Sequence, residues 1–124
     1  MFKKLITLSL ASSALTFSTF AFAEYKVCLI EGKFTVAGKK MEIKDCLQNT
    51  GVPQEQFKKT CNVLAKTVTA SGGKITYIAA CPEQPQGSCA GFFGAAITSY
   101  HYKRDAEDLA IAKRGCEAQG GKWE

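Results

Sequence analysis

The stretch Phe34-Thr35-Val36-Ala37-Gly38-Lys39-Lys40-Met41-Glu42-Ile43-Lys44 decides the fold. Apolar and polar residues alternate on both sides of Gly38, the period of two that marks a strand with one buried face. A two-residue loop at Gly38-Lys39 would pair Val36 with Met41 and Phe34 with Ile43. All four would then share one apolar face, as a packed hairpin requires. The hairpin is expected to span residues 25–46.

The pattern changes after this hairpin. Asn49-Thr50-Gly51 is a break, and Pro53 suits the first turn of a helix because its missing N–H costs nothing there. Phe57, Cys61, Leu64 and Val68 recur at steps of four, three and four, one face of a helix. Ser71-Gly72-Gly73 supplies the stop. Lys74–Ala80 reads as a strand, 82–94 as a loop with two prolines and three glycines, and 95–103 as another strand. Asp105 is a good N-cap for a second helix. Leu109, Ala112 and Cys116 form that helix's buried stripe, and Gly120-Gly121 ends it. Lys122-Trp123-Glu124 leaves room only for a short strand. The order β-β-α-β-β-α predicts an α+β domain, a mainly antiparallel sheet with two helices on one face.

Residues 1–23 read as a cleavable export leader. Lys3 and Lys4 form a basic start, an apolar run follows, and Ala21-Phe22-Ala23 is a cleavage site. Residues 24–124 would then form a single disulfide-stapled domain. All six cysteines lie in it, and an even set in an oxidising compartment reads as three disulfides. The expected location is periplasmic or secreted, and the leader has a bacterial character. No second apolar run approaches the ~20 residues that span a bilayer.

Six cysteines allow fifteen pairings. Strict alternation puts Cys28 on the face of Phe34 and Val36 and Cys46 on the other, which disfavours a Cys28–Cys46 bridge unless Gly32 forms a bulge. Cys81 and Cys89 flank a short loop of turn formers, which suggests a local bridge. Cys61 and Cys116 lie on apolar helix stripes and should face the sheet. The remaining expected pairs are Cys28–Cys116 and Cys46–Cys61.

Little in the chain suggests chemistry. There is no Cys-x-x-Cys, His-Glu-x-x-His, Gly-x-Ser-x-Gly or phosphate loop. His101, the only histidine, reads as a strand residue at the sheet surface. We therefore expect no enzyme activity, cofactor or metal. The precursor carries +5, and loss of Lys3 and Lys4 with the leader leaves +3, too modest a charge to imply nucleic acid. Four basic dyads, Lys39-Lys40, Lys58-Lys59, Lys103-Arg104 and Lys113-Arg114, would favour anionic partners if they converged.

Two features suggest a binding surface. Phe92 and Phe93 are adjacent aromatics between glycines, and both cannot face the core if that segment is extended. On the second helix Ile111 and Gly115 lie away from the expected stripe, beside Lys113 and Arg114. The leading expectation is a small exported binding module for a protein or envelope component, such as a periplasmic inhibitor or immunity-type protein. The alternatives are an envelope-maintenance protein without a specific ligand and an enzyme acting on cell-wall or glycan material.

Overall fold

The computed structural model describes residues 26–68 and 73–124. The leader with its cleavage site, the Ser71-Gly72 stop and the side chains of Val36 and Val68 lie outside the described residues. The elements are β1 (Val27–Val36), β2 (Lys39–Asn49), α1 (Gln54–Val68), β3 (Lys74–Ile78), β4 (Gly87–Ala90), a 3-10 turn (Phe92–Gly94), β5 (Ile97–His101), α2 (Ala106–Ala118) and β6 (Lys122–Trp123). The strands form one six-stranded antiparallel sheet in the order β3-β1-β2-β5-β4-β6. The expected α+β architecture is present, with one strand more than expected before α2.

The β1–β2 hairpin turns at Ala37-Gly38, not at Gly38-Lys39. Both turn residues have positive φ, 50° and 79°, as a two-residue hairpin turn that follows the strand twist demands. Alanine rarely takes that conformation, which hides the turn in the sequence. The register pairs Val36 with Lys39 and Phe34 with Met41. Each partner moves by two residues from the expected one, so Phe34, Met41 and Ile43 keep a common face. Gly32 pairs with Ile43 without a bulge, and Cys28 and Cys46 stay on opposite faces.

One face carries Cys28 and Ile30 of β1, Asp45 and Leu47 of β2, Ile97, Ser99 and His101 of β5, and Cys89 of β4. Both helices cover this face. Asn49 sets up α1 by accepting the N–H groups of Gly51 and Val52 on its side-chain oxygen. The helix then buries Phe57, Cys61 and Ala65 against Cys28, Ile30, Leu47 and Ile97. Burying a side chain the size of Phe57 contributes about 1.5–3 kcal/mol.

None of the three expected disulfide pairs forms. The bridges are Cys28–Cys61, Cys46–Cys81 and Cys89–Cys116. The topology gives the reasons. Cys28 lies under α1, so it meets Cys61. Cys46 points to the opposite face and cannot reach a helix. It instead pins residues 79–86, which cross that face from β3 to β4. Tyr102 Oη strengthens the crossover by donating to the Pro82 carbonyl at 2.6 Å. Cys81 and Cys89 end on opposite faces, which rules out their local bridge. Cys116 closes on Cys89 because α2 returns the chain to β6 beside β4.

The expected loop over 82–94 contains β4. Gly87-Ser88-Cys89-Ala90 has no β-branched residue, and pairing on both sides makes it a strand. Five of the twelve buried apolar residues among those described are cysteines, so the disulfides form part of the core. Loops of 27–35 residues make each bridge worth about 3.5–4 kcal/mol in the chain-entropy model.

Non-reducing proteolysis and mass mapping should recover Cys28–Cys61, Cys46–Cys81 and Cys89–Cys116 peptides. A Cys28–Cys46 peptide would contradict the hairpin register.

Candidate functional site

The two helices are seated unequally. In α2 only Cys116 is buried; Leu109 and Ala112 of the expected stripe are half-buried. A cleft of about 290 Å³ remains between α1, α2 and the sheet. Leu64 of α1 forms one wall, Ile111, Ala112 and Gly115 of α2 the other, and Phe92 and Phe93 close an edge. Ile30, Leu47 and Ser99 of the sheet line its floor.

The Phe92-Phe93 pair divides its work. Phe92 is half-buried and packs on the core cluster. Phe93 is 61% exposed. The split follows from backbone geometry, because Phe93 sits at φ 52°, ψ 30° between Gly91 and Gly94, which are also left-handed. A bulky side chain is rarely found in that region, and holding it there costs on the order of 1–3 kcal/mol. Ile111, 51% exposed, stands on the α2 side of the same cleft. Ile111 and Gly115 thus line the cleft beside the buried Cys116, rather than lying away from it. Lys113 and Arg114 are exposed on α2 and do not line the cleft.

A buried polar network closes one end. Asp45 accepts from His101 Nδ1 at 2.9 Å and from Arg104 Nη2 at 2.6 Å. An ionised carboxylate only accepts, so His101 donates its Nδ1–H to Asp45. Trp123 stacks on the imidazole with ring centroids 5.7 Å apart. Gly87 is required beneath the indole, since a Cβ there would overlap the Trp123 ring. Arg104 is placed by Gln86, whose side-chain amide donates to the Arg104 carbonyl and accepts from its N–H. His101 is therefore buried rather than at the sheet surface.

Burial pushes the Asp45 carboxyl up, but hydrogen bonds from His101 and Arg104 outweigh it and hold the group below the ordinary carboxylate range. Ser99 sits two residues before His101 on the same face. Its hydroxyl is buried without a hydrogen-bond partner among the described residues, a condition that costs about 1–3 kcal/mol. No group of three or more metal-ligating side chains is present among the described residues.

Three residues of the basic dyads are bound to acids. Lys39 meets Asp105, Lys103 meets Glu42 and Arg104 meets Asp45. Lys39 and Lys103 thus sit in exposed ion pairs and Arg104 in a half-buried one, which argues against a converged basic face.

The network around Asp45 was hidden from sequence reading because its members are far apart in the chain. Asp45↔His101 pairing across β2 and β5 brings them together. The one usable signal was the alternation that puts Asp45 on the face of Leu47. The chain matches no family model, no curated protein and no solved structure, so its functional reading rests on this geometry.

Asp45→Asn should cost about 3–5 kcal/mol at neutral pH, as expected when one partner of a buried ion pair is removed. The folded-state pKa lies below the unfolded one, so Asp45 stabilises fully above the unfolded value. That contribution is lost as pH falls through the folded value. Urea denaturation should show the gap between wild type and variant intact at pH 7 and narrowing only below about pH 4. A gap that persists undiminished well below pH 4 would contradict the assignment.

Proposed function

We propose that the protein is an exported, disulfide-stapled binding module that recognises a protein or an envelope component through the α1–α2 cleft and its rim. A periplasmic inhibitor or immunity-type protein is the most concrete form of this reading. The observation that carries it is Phe93, held exposed in a strained left-handed conformation at the edge of an apolar cleft. Strain of this kind persists where surrounding structure enforces it, and it concentrates at functional sites. Ile111 adds a second apolar anchor across the opening. The covalent staples suit recognition, because a rigid surface loses little entropy on binding.

Export is supported by the leader and by the three disulfides, which persist in oxidising compartments. Among the described residues no helix is long and apolar enough to cross a membrane.

The Asp45–His101 pair next to Ser99 invites an enzyme reading, and the geometry weighs against it. A nucleophile must lie within hydrogen-bond reach of its base, whereas the Ser99 hydroxyl has no hydrogen-bond partner among the described residues. Asp45 is bonded to both Arg104 and His101, which supports reading it as a structural ion pair.

Affinity capture from an envelope extract with disulfide-intact protein should recover one stoichiometric partner. Phe93→Asp and Ile111→Asp should stay folded and bind it at least about 30-fold more weakly, the loss typical of an interface hot spot. Retention of the partner at full affinity by both variants would remove the cleft as the recognition surface.

A further inference from the structure

Two carboxylates line the cleft, and only one of them is engaged by the lining's own donors, Arg104 and His101. Asp45 and Arg104 form a close ion pair. Asp108 brings a second carboxylate to the cleft from the first turn of α2. The capping task at that helix end is already done by Asp105, whose carboxylate accepts the Asp108 N–H at 2.8 Å. The Asp108 side chain is thus not the cap.

The cleft floor adds an independent observation. Ser99 is 1% exposed, and its hydroxyl has no hydrogen-bond partner among the described residues. A ligand atom that donates or accepts would satisfy it. Apart from His101 and Gln119, the remaining lining is apolar, with Ile30, Leu47, Leu64, Phe92, Phe93 and Ile111 supplying most of it. The size is also informative. A cavity of about 150 Å³ holds benzene, so the 290 Å³ available here accommodates a group of bicyclic size.

We propose that the cleft receives an apolar group of bicyclic size carrying a protonated amine. The apolar body packs against Leu64, Phe92 and Ile111, the ammonium pairs with Asp108, and Ser99 bonds to a polar atom of the ligand. An anion of the same size would meet two carboxylates against the Arg104 guanidinium and the His101 ring, both already engaged with Asp45. The proposal rests on the cleft being the recognition site and names the chemical class recognised there.

The test is titration of the disulfide-intact protein with tryptamine, indole and indole-3-propionate at low ionic strength, followed through backbone amide shifts of α2 and β5. Tryptamine should saturate these shifts at least about tenfold more tightly than indole-3-propionate, with indole between them, as expected for one charge-assisted contact. Asp108→Asn should shrink that difference to within about threefold, and Asp108→Glu should keep it. Ser99→Ala should weaken tryptamine several-fold without lowering thermal stability. The proposal is overturned by no saturable shift with any of the three probes, by the anion binding as tightly as the cation, or by a cation preference that survives Asp108→Asn. Failure with all three probes would dismiss the amine alone. The Phe93 and Ile111 variants judge the recognition surface separately.

Discussion

The Cys89–Cys116 bridge holds α2 on the sheet. A surface helix ordinarily docks through a stripe of apolar side chains. That is how α1 docks, with Phe57, Cys61 and Ala65 buried. In α2, Cys116 alone is buried. The covalent bond thus takes the place of an apolar seam. A helix fixed at one buried point leaves space beside it, and that space is the cleft. Gly121 lets the chain after α2 pass close to this bridge, since a Cβ there would stand 2.8 Å from both sulfurs.

The opposite end of α2 is positioned by charge and backbone pairing. Arg104 ties the segment before the helix to Asp45, and Gln86 holds the Arg104 backbone. Lys39 reaches Asp105 from the hairpin turn. That pair is exposed, 62% and 41%, and such pairs contribute roughly 0–1 kcal/mol. The buried Asp45 network therefore carries most of the polar restraint at this end. Together the two restraints set the width of the cleft, with Phe93 and Ile111 on its rim.

Much of this architecture was legible in the sequence, and the misses have physical causes. Alternation around Gly38 identified the hairpin and its faces, although the turn lies one residue earlier because Ala37 adopts a conformation it seldom takes. The steps between Phe57, Cys61 and Leu64 identified α1, and Asp105 marked the start of α2. Disulfide pairing was illegible because it depends on the β3-to-β4 crossover, a non-local feature that puts Cys81 under Cys46. β4 was missed because its residues have no strand preference of their own. At the site, Phe92-Phe93, Ile111 and Gly115 stood out as local anomalies, and the structure gathers them around one cleft. Apart from the alternation that puts Asp45 on the face of Leu47, Ser99 and the Asp45–His101–Arg104 network carry no local signature and emerge from strand register.

Native-state hydrogen exchange on a Cys89→Ala/Cys116→Ala variant tests the central claim most directly. If the bridge holds α2, amides of residues 109–118 should lose nearly all protection while those of β1, β2 and α1 stay protected. Undiminished protection across α2 would show that the helix docks through contacts other than the disulfide, and would contradict this account of how the cleft is held open.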